Sequence, residues 1–178
     1  MQAILLTGGE SRRMGTDKAS LMVGGVPLAV KIARALAEAG AEVTVLGREP
    51  IDGYRFQPDE TPHSGPLVAL ASFRPAEEFV FVSSCDLPLF TSSVVSTLRG
   101  EIRDYDAAVP LLEERLQPLC ALYRASSLLV ASQMVAAGET RIMRWLDRLN
   151  IRTVPELVGA RNVNTPDELA QVFEKLGS

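Results

Sequence analysis

The sequence predicts a single α/β domain over residues 1–178, three layers deep, with helices on both faces of a mixed but mainly parallel sheet. Three observations predict it. An apolar run, Ala3-Ile4-Leu5-Leu6, leads through a polar loop and an amphipathic helix to a second apolar run at Glu42 to Leu46, and parallel strands need such a crossover. Further strand-like runs alternate with stretches of helical periodicity along the chain. Near residues 107–123 two strand runs are separated by a segment too short for a parallel crossover, so this part of the sheet is mixed.

The loop after the first strand has a phosphate-handling composition. Between Thr7 and Lys18 it holds the paired glycines Gly8 and Gly9, the hydroxyl of Ser11, the arginines Arg12 and Arg13, and Lys18 itself. Glycines let backbone N–H groups approach an anion closely, and cationic side chains replace the water that a polyphosphate gives up. Two better-known phosphate loops do not fit. Gly9 and Gly15 enclose five residues and Gly15 is followed by Thr16, which rules out a P-loop, and Gly8-Gly9-Glu10 breaks the dinucleotide fingerprint. A solvated strand-to-helix turn is the plainer alternative.

Pro27 to Ala39 has apolar residues at helical spacing, with the proline suited to a first turn and Gly40 to the stop. Residues 47–66 are polar and rich in turns around a short strand at Tyr54 to Gln57. Long irregular segments in compact domains are more often functional than idle, so Asp59 and the Gly65-Pro66-Leu67 turn, which opens a helix to Phe73, are candidates for nucleotide contact. His63 is assigned to the loop surface.

Phe79 to Ser83 is the most strand-like run in the chain and ends in Ser84-Cys85-Asp86-Leu87-Pro88. Ligands of open α/β sheets gather at the carboxyl ends of strands, which makes Asp86, followed by a proline that fixes the exit, a candidate Mg²⁺ ligand facing the first loop. Its alternative role is to cap the helix beginning near Thr91, which Thr91 and Ser92 can do themselves.

Val94 to Leu98 continues that helix. Ala107 to Pro110 is the next strand, Leu111 to Arg115 a turn or hairpin loop, and Gln117 to Tyr123 a strand that opens with an amide and a proline. Ala125 to Ala137 and Ile142 to Leu149 have helical spacing, with Trp145 assigned to the core. Arg141 lies in the loop between them, where a guanidinium can hold a phosphate or carboxylate bidentately. Ile151 to Val154 is a last strand. Thr165, Pro166 and Glu168 form a capping box for a C-terminal helix to Leu176, which leaves Asn162 and Asn164 unexplained. Alternate residues of an extended segment point the same way, so both amides can face one ligand.

Composition bounds the function. An apolar content of 47% and a charged content of 22% are those of an ordinary soluble protein, and a net charge of −4 argues against nonspecific binding to nucleic acid or anionic membranes. Any anion site must therefore be a local concentration of arginine and lysine, as residues 10–18 provide. Cys85 and Cys120 sit in apolar surroundings far apart in sequence, which favours buried thiols in a reducing cytosol. With His63 the only histidine, a His-based zinc site is excluded. No signal-peptide pattern opens the chain and no apolar run approaches the roughly 20 residues of a membrane span, so a cytoplasmic location is expected.

The first loop resembles the signature of the nucleotidyltransferase superfamily, and specifically the L-x-G-G-x-S-x-R-M-G-x-D-K pattern of molybdenum cofactor guanylyltransferases. Leu6, Gly8, Gly9, Ser11, Arg13, Met14, Gly15, Asp17 and Lys18 match it. Gly65-Pro66-Leu67, Cys85-Asp86-Leu87-Pro88, Gln117-Pro118-Leu119 and Asn162 to Pro166 follow in family order. The resemblance implies a Rossmann-like nucleotidyltransferase fold and an enzyme that joins GMP from GTP to the terminal phosphate of molybdopterin, releasing pyrophosphate with the help of Mg²⁺. It also implies transient contacts with other proteins of molybdenum cofactor biosynthesis.

Residue by residue, the resemblance sets Leu6, Thr7, Gly8, Gly9, Ser11, Lys18, Asp59, Gly65 and Asp86 against the nucleotide, and Asp86 against the metal. Gln117, Arg141, Asn162 and Asn164 fall on the pterin side. Two departures stand out. Thr7 occupies a position where alanine is commoner, and a family asparagine that contacts the nucleotide falls near Leu46.

The implied chemistry agrees with the residues. A phosphomonoester attacking an α-phosphorus is already an anion, so no general base is required. The site must hold two mutually repelling anions in line and neutralise charge as pyrophosphate departs, which assigns Arg13 and Lys18 to the phosphates and Asp86 to the metal. The rivals are a cytidylyltransferase or sugar-phosphate nucleotidyltransferase on the same scaffold and, in another class, a nucleotide-binding regulatory module. Retention of Arg13, Lys18 and Asp86 together speaks against the module.

Overall fold

The computed structural model describes residues 1–8, 22–61, 63–163 and 168. Within them the chain forms β1 (Gln2–Leu6), β2 (Met22–Val23), β3 (Val26–Pro27), α1 (Leu28–Glu38), β4 (Glu42–Gly47), β5 (Arg55–Pro58), α2 (Pro66–Ser72) and β6 (Phe79–Ser84). It continues with α3 (Ser92–Glu101), β7 (Ala107–Leu112), β8 (Arg115–Leu116), β9 (Cys120–Arg124), α4 (Ala125–Ala136), α5 (Ile142–Leu146), β10 (Ile151–Pro155) and a 3-10 turn at Val158–Ala160. The expected cap at Thr165 and Pro166 and the helix to Leu176 lie outside the described residues.

The main sheet runs in the order β10-β7-β9-β6-β1-β4-β5, with β8 paired to β7. β1 pairs parallel with β4 and β6, β4 with β5, and β7 with β10. β9 is antiparallel to both β6 and β7, and β8 to β7, so the sheet is mixed where the short connection required it. That connection is a tight hairpin. Glu113 and Glu114 both take positive φ, 49° and 60°, the backbone hand that matches the twist of the strands on either side.

Two hydrophobic layers clamp the sheet. Alternate residues of one strand feed both: Ala3 and Leu5 face the layer of α1 and α3, while Ile4 and Leu6 face α2, α4 and α5. All five residues of β1 are buried, as expected of a strand covered on both faces. α1 buries Leu28, Ile32 and Leu36 on one stripe and stops at Gly40, whose φ of 79° ends the helical path. In the second layer the Trp145 ring stacks on Tyr123 at 4.6 Å and its Nε1 donates to Ser127 O at 2.9 Å, which satisfies a donor that burial would otherwise strand.

Some boundaries differ from the sequence expectation. The strand expected from Gln117 begins at Cys120, because Pro118 has no N–H to give a ladder; instead Gln117 N donates to Pro110 O and the Tyr123 hydroxyl to Pro118 O. The last short helix ends at Leu146, and the hairpin β2–β3 was not expected. Both edge strands, β5 and β10, finish in proline, which blunts them against further pairing. None of the described helices is long and apolar enough to cross a membrane.

Gly159 ties the 3-10 turn to α3. A Cβ there would lie 2.5 Å from Val94 Cγ2 and 3.3 Å from Leu89 O. Gly159→Ala should therefore lower stability by about 1–3 kcal/mol in urea unfolding, and Val94→Ala in the same chain should return part of that loss.

Candidate active site

The order of the sheet reverses beside β1. From β1 the chain passes to β4 on one side and later to β6 on the other, and open α/β sheets bind ligands outside the strand ends at such a reversal. Leu6 is the parallel partner of both Leu46 and Ser84. Thr7-Gly8, Gly47 and Cys85-Asp86 therefore leave three adjoining strands at one end of the sheet. Register alone sets Thr7 and Gly8, where the first loop begins, beside Cys85 and Asp86.

On the β4 side the strand ends meet closely. Thr7 N donates to Leu46 O at 3.0 Å and Asp59 N to Gly47 O at 2.9 Å. Asp59 Oδ1 accepts from Thr61 N, while Oδ2 lies 3.5 Å from where a Gly8 Cβ would stand. Leu46, where the family asparagine was aligned, is buried under α2 and α4 and does not face this crevice. Gly47 was not singled out from sequence. A Cβ at Gly47 would collide with Thr7 Oγ1 and come within 3.0 Å of Gly8 N, so space rather than φ demands glycine there. The Thr7 hydroxyl is itself buried without a hydrogen-bond partner. Such an orphan costs about 1–3 kcal/mol.

On the β6 side Asp86 is half-buried, and its Oδ1 accepts from the Ser84 hydroxyl at 2.6 Å. Ser84 is fixed in turn, because its N–H donates to Leu119 O at 2.8 Å and its Cα pairs with Leu6. It is a functional candidate that sequence reasoning missed; the signal was a hydroxyl two residues before the carboxylate at a strand end. No side-chain hydrogen bond caps α3 at Thr91, whose hydroxyl pairs with that of Ser93, so Asp86 does not cap this helix. Burial pushes the Cys120 thiol above its ordinary range, and the nearby Asp86 carboxylate adds to the shift. Cys85 and Cys120 are both buried.

The segment after the 3-10 turn crosses the same place. Val163 N donates to Asp86 O at 2.9 Å, which brings the exposed Asn162 beside the aspartate, and Arg161 pairs with Glu113 at the β7–β8 turn at 2.8 Å. Gln117, half-buried, donates its side-chain amide to Arg115 O at 3.2 Å. Arg141 sits in a different group, next to Gly65: Thr140 O is 4.0 Å from where a Gly65 Cβ would stand. Its guanidinium is already held bidentately by Glu139, Nε to Oε1 at 2.8 Å and Nη2 to Oε2. That pair holds the Glu139 carboxyl at about 2, chiefly through the side-chain hydrogen bond from Arg141, and raises Arg141. Gly9, Ser11, Arg13, Lys18 and Asn164 lie outside the described residues.

A crevice at a sheet reversal, edged by glycine backbone on one strand end and carrying an anchored carboxylate on the next, defines an α/β enzyme of the nucleotide-handling class. Residues 3–154 match the family model of the MobA-like NTP transferase domain, and the chain belongs to that family of nucleotidyltransferases. It is 30% identical to a molybdenum cofactor guanylyltransferase of Desulfosudis oleivorans over 93% of this chain and 91% of the relative. In structure it is similar to molybdopterin-guanine dinucleotide biosynthesis protein A from Archaeoglobus fulgidus, with a TM-score of 0.77, 24% identity and 99% of each chain covered. It also shares its fold with 2-C-methyl-D-erythritol 4-phosphate cytidylyltransferase from Thermus thermophilus, with a TM-score of 0.73, 18% identity and 98% of each chain covered.

Two measurements follow from this geometry. On the Mg²⁺ role proposed below for Asp86, Ser84→Ala should leave the fold intact while raising the Mg²⁺ concentration needed for half-maximal turnover, and Ser84→Thr should restore it; a turnover curve equal to wild type would release Ser84 from holding Asp86. For the Glu139–Arg141 pair the sign is that of a lowered carboxylate: its stabilisation is present above the ordinary value of 4.5 and is lost as pH falls toward about 2. The difference in melting temperature between wild type and Glu139→Gln should shrink across that window, and salt should reduce it further because Arg141 is exposed.

Proposed function

We propose that this chain transfers GMP from GTP to the terminal phosphate of molybdopterin, releasing pyrophosphate and forming the guanine dinucleotide. The observation that supports the reading most is the register of Leu6 with Ser84, which sets the glycine-edged loop and Asp86 side by side at the sheet reversal. Similarity along nearly the whole chain to a relative named for guanylyl transfer supports the choice of base and acceptor.

In this reading an oxygen of the acceptor phosphate attacks the α-phosphorus of GTP, the bond from that phosphorus to the bridging oxygen breaks, and pyrophosphate leaves with the electron pair. The acceptor is already ionised, so the protein supplies position and charge rather than a base. Leu6, Thr7, Gly8 and Gly9 with Ser11 line the nucleotide, Asp59 and Gly65 flank it, and Arg13 and Lys18 hold the phosphates. Gln117, Asn162, Asn164 and Arg141 are assigned to the pterin. Arg141 would first have to exchange Glu139 for the substrate.

Asp86 fits a Mg²⁺ ion of the kind that uses one or two carboxylates together with substrate phosphates and water. The ion supplies neutralisation of charge on the departing pyrophosphate. Buried thiols accord with a cytoplasmic setting, where other proteins of molybdenum cofactor biosynthesis would deliver the acceptor and take the product.

The test is pyrophosphate release from each of GTP, CTP, ATP and UTP with Mg²⁺ and molybdopterin as acceptor. Release with GTP alone is expected, whereas preference for CTP or for a sugar-phosphate acceptor would move the enzyme to another branch of the fold, and binding without release would make it a regulatory module. Lys18→Ala should lower turnover roughly 100- to 10,000-fold, judged from the loss of one transition-state donor.

A further inference from the structure

We propose that Glu139 is a built-in stand-in for the acceptor's phosphate: it holds Arg141 in the fork that a phosphate takes and gives it up on binding, so that this pair sets the acceptor affinity. The inference deepens the guanylyl-transfer reading and rests on its assignment of Arg141 to the acceptor side.

Glu139 has two tasks in the free protein, and one of them is more than the local fold requires. Its Oε1 accepts from Arg141 N at 2.9 Å, a turn-making bond that ties the carboxylate to the backbone where α5 begins. The same carboxylate also receives one edge of the guanidinium, Nε to Oε1 at 2.8 Å and Nη2 to Oε2. Paired bonds from a guanidinium edge to two oxygens are the geometry in which arginine recognises phosphate as well as carboxylate. Another charged pair on α5, Arg144 with Asp147, stands farther apart, at 3.6 Å.

Exposure tells which member moves. The Arg141 side chain is 67% exposed, whereas that of Glu139 is 24% exposed and bonded to the backbone. The guanidinium can therefore leave on its long stem while the carboxylate stays behind. Arg141 is also placed for the task, because Thr140 O is 4.0 Å from where a Cβ of Gly65 would stand, and Gly65 flanks the nucleotide in the proposed reaction. A pair this exposed favours its closed form over its open form by no more than about fivefold. A phosphomonoester carries more charge than a carboxylate and can displace it. Until then Arg141 is withheld from substrate, and apparent affinity is reduced by the fraction of the arginine that is free.

The experiment measures initial rates of pyrophosphate release with GTP and Mg²⁺ over a range of molybdopterin concentrations, for wild type, Glu139→Gln, Glu139→Ala, Arg141→Ala and Glu139→Gln combined with Arg141→Ala. Glu139→Gln should lower KM for molybdopterin about two- to fivefold and leave KM for GTP in place, even as it lowers the melting temperature. Glu139→Ala makes the same comparison without an amide that could keep one bond to the guanidinium. A residue that only supports the fold cannot lose stability and improve acceptor binding together. Arg141→Ala should raise KM for molybdopterin about tenfold, the size of a charged hydrogen bond, and Glu139→Gln should add nothing in that background. If KM for molybdopterin is unchanged or raised in both Glu139 variants, or if KM for GTP shifts equally, the stand-in is overturned and guanylyl transfer remains. A wild type that releases no pyrophosphate with molybdopterin overturns the transfer reading and the stand-in with it.

Discussion

The central constraint is the double parallel pairing of β1. Ladder bonds hold it on both edges and helices cover both faces, so its register is over-determined. A slip by one residue would send Ala3 and Leu5 into the layer of α2, α4 and α5 and expose that layer's Ile4 and Leu6 to α1. Because the register cannot move, neither can the residues that follow it: Thr7 and Gly8 leave the sheet opposite Gly47 on one side and Cys85 on the other. The catalytic geometry is thus a by-product of core packing, set far below the crevice in which it appears.

Charge in that crevice is divided unusually. Among the described residues that follow the strand ends, Asp59 and Asp86 carry carboxylates and Arg48 a guanidinium, whereas Arg12, Arg13 and Lys18 come from one short stretch of sequence. Carboxylates alone would repel a triphosphate, and a wholly cationic cleft would hold the product as tightly as the substrate. In the proposed reaction a divalent ion would reconcile the carboxylates with the triphosphate. Cys120, buried under Asp86, contributes a thiol that stays protonated and so adds no further negative charge.

The sheet was legible in the sequence because its central strands are buried on both faces and therefore run apolar without a break, as at Ala3 to Leu6 and Phe79 to Val82. The antiparallel part was legible from the length of a connection. What escaped were features that depend on contact between distant segments. Nothing in the composition near Gly47 distinguishes a glycine required by a neighbouring threonine from one required by a turn, since the neighbour lies on another strand. Neither Glu139, which grips Arg141, nor Ser84, whose hydroxyl meets Asp86, stood out in the sequence. Pairings of this kind carry no periodicity, and periodicity is what a single sequence displays best.

The stacking of Trp145 on Tyr123, with its ring nitrogen bonded to Ser127, has an optical consequence. As the chain's single tryptophan, buried in the layer of α2, α4 and α5, it makes intrinsic emission a local gauge of that layer. Fluorescence will register the separation of α4 and α5 from the sheet, yet remain nearly blind to rearrangement on the α1 and α3 side, so backbone dichroism is its necessary companion in any study of how this domain comes apart.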